Sequence, residues 1–300
     1  MKGGAWKRKG TKTHADSAAA IEVSERWVET PPSSPAEGGG GGGGGGKRGR
    51  EMWCARRSVH EDAARPGSAS WAEFDRAFRT HHVASELAFT PNAQAAHEAV
   101  VWDCAGVSVG LPSPSSSPRD DGHGEAYGDF RLAVLEMRHR VGTGLKDRTF
   151  PVLQMSCRAV GPGADLGTAG GGGGGGGGEQ KAEDELFVVS VPVPDFGDDP
   201  RSKLAAEPDA LVAAYVSVER IRRLPPLGGD GKGHAATGGG GGGIEWLMAT
   251  AGDAGGILPA WIQNIAMPAV IWKDVPLFLS WIAKERVKSG DEAAGSGGVE

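Results

Sequence analysis

The sequence predicts an α+β fold, a mostly antiparallel sheet followed by a long C-terminal helix. Three observations carry that expectation. Segments of strand character recur from Glu51 onward, and the connections between them are mostly Gly, Pro, Asp and Ser rich. The last of these segments, "IEWLMATA", hands over through a glycine turn to an apolar stretch at helical spacing. Short polar connections join antiparallel neighbours, whereas parallel βαβ crossovers need a helix between strands.

Taken in order, "IEVSERWV" (Ile21–Val28) reads as a lead-in strand within an otherwise low-complexity N-terminal region, residues 1–50. "EMWCARRSVH" alternates as a strand, and Trp71, Phe74 and Phe78 then recur at helical spacing. Ser70 followed by Glu73 is a capping-box pattern that starts this helix. "EAVVWDC" (Glu98–Cys104) is a weaker strand signal. "DFRLAVLEMRHRV" (Asp129–Val141), "TFPVLQMSCRAV" (Thr149–Val160), "ELFVVSVPV" (Glu185–Val193) and "LVAAYVSVERIRRL" (Leu211–Leu224) are stronger. After "IEWLMATA" come Leu258, Trp261, Ile262 and Ile265 at i, i+3, i+4 and i+7, with Pro259 in the permitted first helical turn. Pro268 and Pro276 are expected to kink or interrupt that helix. Lys273 and Asp274 in its middle argue against a membrane span, because charge inside a bilayer is costly.

One folded domain is therefore expected over residues 51–288, interrupted by Gly/Pro-rich loops at 105–128, 161–184 and 225–243, with a disordered tail at 289–300. Glycine runs at Gly38–Gly46, Gly170–Gly178 and Gly238–Gly243 account for much of the 51 glycines in the 300 residues. Such runs read as flexible loops. The net charge of −6 leaves no overall basic excess, so no nucleic-acid partner is expected. Cys54, Cys104 and Cys157 form no CxxC pair, which argues against structural zinc or a disulfide framework and for a reducing, cytoplasmic setting. Each is expected to be a small buried residue inside a strand.

Tempting motifs fail on context. "GGGGGGKR" matches GxxxxGK but puts Arg48 where a hydroxyl must bind magnesium. "AGDAGGI" resembles a dinucleotide turn, yet no strand pattern follows its helix. The histidines make no HxxxH or HExxH pattern, and GxSxG is absent, so no metal, cofactor or catalytic residue is expected. Charged residues within apolar strands are more informative. Glu136 and Arg138, and Glu219 and Arg220, are each expected to leave one member on the inner face of the sheet, and Arg148 precedes another strand. Glu136, Arg148 and Glu219 are the candidate inward polar anchors, with a structural ion pair as the plainer reading.

As a whole, "WCARRSVH", "SWAEFDRAF", "LEMRHRVGTGLKDRTFPVL", "AAYVSVERIRRLP" and "AGDAGGILPAWIQN" resemble a START-like domain, in an uncharacterised, chiefly fungal branch of that superfamily. The resemblance spans about Glu51–Arg286. It implies a helix-grip fold, a curved antiparallel sheet around a long C-terminal helix, with a hydrophobic cavity that binds and transfers a lipid or sterol-like ligand without catalysis. A transient membrane surface is a further implied partner. Candidate cavity residues are Met137, Tyr215, Trp246, Met248, Trp261, Ile262 and Ile265, and Gly252–Gly256 reads as a hinge for the helix. The alternatives are an enzyme of the same fold, using Glu136, His139 or Glu219 as acid or base, and an interaction scaffold acting through the low-complexity tracts.

Overall fold

The computed structural model describes residues 4–30, 49–110, 126–141, 145–160, 184–225, 242–253 and 267–295. Trp261, Ile262 and Ile265, most of the expected hinge and most of the expected glycine-rich loops lie outside the described residues. Among the described residues ten strands form one sheet: β1 (Lys7–His14), β2 (Ser17–Thr30), β3 (Gly49–Glu61), β4 (Ala93–Trp102), β5 (Val109–Gly110), β6 (Ala126–His139), β7 (Arg148–Val160), β8 (Glu185–Pro192), β9 (Ala214–Arg223) and β10 (Gly243–Asp253). Their order is β1-β2-β3-β10-β9-β8-β7-β6-β4, with β5 also on β6, and the paired strands are antiparallel throughout.

The sheet starts earlier than Glu51. A basic hairpin, β1 and β2, pairs onto β3, and the single lead-in strand read from Ile21–Val28 is its inner, longer arm. β3 does not neighbour β4. The chain leaves the sheet through α1 (Trp71–Asp75), a wider π-type turn (Arg76–Thr80) and α2 (His82–Phe89), and re-enters at the opposite edge as β4. Ser70 and Glu73 behave as the motif requires, the Glu73 carboxylate accepting from the Ser70 N–H at 2.8 Å and its hydroxyl at 2.9 Å. Arg286 of the C-terminal helix then clamps the same carboxylate at 2.6 and 2.8 Å.

That helix, α3 (Asp274–Gly295), runs past Lys288 into the segment expected as a tail. Pro276 sets its start. A proline four residues beyond Trp272 cannot donate to the Trp272 carbonyl, and Ile271–Lys273 narrow to a 3₁₀ turn. Within α3 the proline occupies the first turn, where its missing N–H costs nothing.

Alternation assigns the two faces of the sheet. The inner face carries Ile21, Ile221, Leu186, Val188, Ile244 and Trp246, which form one core with Phe74 and Phe78 and with Val275, Phe278, Leu279 and Ile282 of α3. Farther along, Ala133, Leu135 and Val152 pack against Val83 of α2 and against Tyr215. The outer face holds Glu245, which accepts from Arg57 (2.6 Å), Arg222 (2.7 Å) and Arg220 (3.1 Å).

Glu136 is also on the outer face, as is Arg138, because residues two apart share a face. The expectation that this pair divides between faces fails on that spacing, whereas Glu219 and Arg220, one apart, do divide. The Glu136 carboxylate accepts from Ser202 Oγ (2.6 Å) and from the N–H groups of Lys203, Ala205 and Leu204 (2.8, 2.9 and 3.1 Å). Burial alone would raise its pKa, but these four donors hold it below the usual carboxylate range. Such a depressed pKa contributes stability present above the unfolded value and lost as pH falls through the folded one. Glu136→Ala is expected to cost about 2–3 kcal/mol, as buried donors lose their acceptor. Limited proteolysis should show new cleavage between Asp199 and Asp209; an unchanged digest would contradict this role.

Cys54 and Cys157 are buried in strands as expected, and burial pushes both thiols up to about 11. Cys104 differs: it follows the end of β4, in the turn before β5.

Candidate ligand-binding site

Between the sheet, α2 and the start of α3 lies a cluster of ionisable groups drawn from four elements. Arg56 of β3 sits at its centre. Cys54, Arg56, Ser58 and His60 alternate onto the inner face, so a guanidinium is carried into the interior with its side chain only 1% exposed. Its Nη2 donates to Glu219 Oε1 of β9 at 2.9 Å, its Nε lies 3.7 Å from Asp274 Oδ2, and its plane covers the Trp246 ring at 3.9 Å. The Trp246 indole N–H donates to the same Glu219 oxygen at 2.7 Å. Two donors on one carboxylate oxygen explain how β9 tolerates an acid inside.

Glu86 of α2 completes the cluster. Its ion-pair partner among the described residues is His82 Nδ1, one turn earlier, at 3.9 Å. Burial pushes His82 down to about 4, so it is neutral at physiological pH and gives Glu86 no counter-charge. Burial pushes Glu86 up to about 8, with Glu219 and Asp274 adding to the shift. Asp274 rises to about 6, chiefly by burial and against the pull of Arg56, although the first turn of a helix is a favourable place for an anion. Glu219 is raised for the same leading reason, and burial raises the Tyr215 phenol, with Glu86 contributing.

These shifts have a sign. A raised folded pKa contributes stability that is complete below the unfolded value and is lost as pH climbs through the folded one. For Glu86 the window runs from about 4.5 to about 8. Thermal stability should therefore fall across that range, by on the order of 3 kcal/mol from this cluster. Glu86→Gln should flatten the decline, and an unchanged slope in the variant would contradict it.

The other sequence candidates divide in their positions. Tyr215, Glu219, Trp246 and Met248 come together on adjoining inner-face positions of β9 and β10, where Met248 pairs in register with both Glu219 and Arg56. Trp246 is enclosed by Phe78, Phe74 and Phe278 at 4.9–5.5 Å between ring centres and belongs to the packed core, meeting the polar cluster through its N–H and the ring face under Arg56. Met248 packs against Val23, Cys54 and Ile271. Met137 is buried on the inner face of β6, in register with Phe150, whose ring stands edge-on to Tyr215 at 5.6 Å. Arg148 opens β7 at the end of the sheet, and its Nη1 donates to the Lys146 carbonyl. Glu136 lies on the far face.

Arg56, Glu86 and Asp274 escaped the sequence reading. Arg56 was accessible to it, since the alternation that buries Cys54 also buries a residue two further on. Glu86 was not, because α2 is too short for its periodicity to stand out. Among the described residues no group of three or more His, Cys, Asp and Glu side chains could hold a metal ion, and no helix is long and apolar enough to cross a membrane.

An antiparallel sheet with a C-terminal helix packed on its inner face is a helix-grip arrangement. Residues 53–282 match the model of a family described as proteins of unknown function, DUF3074, and the chain belongs to that family. Among solved structures it is similar to the human StarD13 (DLC2) lipid transfer and protein localization domain, at 10% identity over 93% of this chain and 89% of that one, with a TM-score of 0.43. Human STARD10 is similar at 10% identity over 97% and 78%, TM-score 0.46. Human StAR-related lipid transfer protein 5 is similar at 10% over 92% and 86%, TM-score 0.40. No curated protein matches the sequence.

Proposed function

We propose that the chain is a non-enzymatic binder of a hydrophobic, amphiphilic ligand, held on the inner face of the sheet. The observation that carries this reading is the state of Glu86 and Asp274. Both lie between the sheet and its covering helices, yet they keep 22% and 37% of their side-chain surface accessible. A closed core leaves no accessible carboxylates where its helices meet the sheet. Accessible acids beside the apolar side chains of Tyr215, Phe150, Met248 and Leu135 instead suit a molecule with a polar end and an apolar body. Transfer between membranes, through transient contact with a bilayer surface and in a cytoplasmic setting, is the role that fits such a binder.

Glu219 is paired with Arg56, Glu136 faces outward and His139 lies against Phe150 at 5.6 Å, so the acids and bases expected of an enzyme are engaged elsewhere. One group favours a second reading: Glu86, with a pKa near 8 and no cationic partner among the described residues, has the character of a general acid or base. A single experiment separates the two. Organic extraction of the purified protein, with mass spectrometry of what co-purifies, should return an apolar compound that survives re-incubation with the protein unchanged. Conversion of that compound, abolished by Glu86→Gln, would favour the enzyme. Retention of no apolar ligand, with none loadable, would contradict both readings.

A further inference from the structure

Buried carboxylates elsewhere in this fold are fully engaged. Glu245 faces three arginines and Glu136 four donors. The inner cluster is different: Glu219 and Asp274 share one guanidinium, while Glu86, whose charge couples to both acids, has only the neutral His82 beside it among the described residues. The Glu86 carboxylate accepts no hydrogen bond shown among the described residues, and Asp274 stands 3.7 Å from Arg56 Nε, beyond hydrogen-bond reach. The donor side is incomplete as well. The buried Arg56 side chain leaves both Nε and Nη1 without a hydrogen-bond partner among the described residues, although Nε points at Asp274. A buried guanidinium with two nitrogens that make no hydrogen bond, in one cluster with two carboxylates that accept none among the described residues, is costly unless something bridges them.

The bridging group must meet both demands. Toward Glu86 and Asp274 it has to present donors and positive charge; toward Arg56 it has to present an acceptor. The face of Trp246 is already covered by Arg56, so a cation seated on that ring is excluded and charge-assisted hydrogen bonds to the carboxylates remain. Resting on the reading that the inner face holds an amphiphile, we propose that its head is a protonated amine with a neighbouring hydroxyl. The ligand class is thus a long-chain amino alcohol, with the ammonium between Glu86 and Asp274 and the hydroxyl oxygen accepting from Arg56. Its chain follows the apolar side of the same face, along Met248, Tyr215, Phe150 and Leu135.

Calorimetric titration of the full chain with a saturated amino alcohol, and with the plain alcohol of the same chain length, tests this. The amino alcohol is expected to bind about 10- to 100-fold more tightly, the worth of charge-assisted hydrogen bonds. Because Glu86 is largely protonated near neutrality in the free protein, seating an ammonium should expel about one proton at neutral pH. The measured heat should then vary with the buffer's ionisation enthalpy for the amine and not for the alcohol. Glu86→Gln and Asp274→Asn should each erase most of the preference while leaving alcohol binding intact. Equal affinities without proton release would overturn the amine assignment and leave the amphiphile reading standing. Variants that lose the alcohol as well would show that the carboxylates shape the site instead of reading the head, which also overturns it. Binding of neither compound would overturn both proposals.

Discussion

Replacing Arg56 by methionine is expected to lower the folding free energy by about 3–5 kcal/mol, the usual cost of removing one partner from a buried ion pair. Among the described residues the guanidinium is the only cation shown against Glu219 and Asp274, and it also covers Trp246 at 3.9 Å. Without it, the buried Glu219 carboxylate keeps the Trp246 N–H as its shown donor, with the partly exposed Asp274 near enough to repel it. Urea denaturation of the variant should show the full loss near neutral pH and a smaller one at mildly acidic pH, where the carboxylates take up protons. Adding Glu219→Gln to Arg56→Met should recover a large part of the loss, because an amide still accepts from the Trp246 indole. A double variant no more stable than the single would mean that Arg56 matters through packing on Trp246 alone.

Phe278→Ala is expected to cost about 3–5 kcal/mol by a different route, the cavity left by a truncated core ring. Phe278 projects from α3 into a cage of Phe74 (5.0 Å), Phe78 (5.1 Å), Trp246 (5.5 Å) and Phe89 (5.9 Å) between ring centres. Three elements that precede β4 and one strand thus meet the C-terminal helix at a single side chain. Its loss should release α3 as a unit, visible as hydrogen exchange across Val275–Ile282 before the sheet exchanges. On the same helix Val287, 63% exposed, should tolerate alanine within about 0.5 kcal/mol. Similar costs at the two positions would deny that α3 is held by its inward stripe.

The sheet was legible in the sequence because its strands are long and strongly patterned. "TFPVLQMSCRAV" and "IEWLMATA" became β7 and β10 nearly as read, and the antiparallel order followed from the character of the connections. β1 was missed because "KRKGTKTH" has no apolar alternation; its side chains are almost all exposed on a sheet edge, where lysines discourage further pairing. The adjacency of β3 and β10 is invisible to local pattern, since it joins residues nearly 190 apart.

That adjacency is also what assembles the site. Glu219 was recognisable as an inward acid from its alternation, but its partners come from β3 and β10 and its neighbouring acids from α2 and α3, and no spacing in the sequence links them. Glu136 shows the converse. An acid in an apolar strand looked equally inward, and only the return of the chain at Ser202–Ala205 turns it into an anchor for an outer loop.

The claim that an amphiphile occupies the inner face is tested most directly by labelling in place. A long-chain alcohol carrying a photoreactive diazirine in its tail, bound to the purified chain and irradiated, should mark residues of β6, β7, β9 and β10, among them Leu135, Phe150, Tyr215 and Met248. Stearic competition by unlabelled alcohol should abolish the marks. Labels that fall instead on the outer face or on the exposed Val101–Val109 segment, or that persist under competition, would contradict the account.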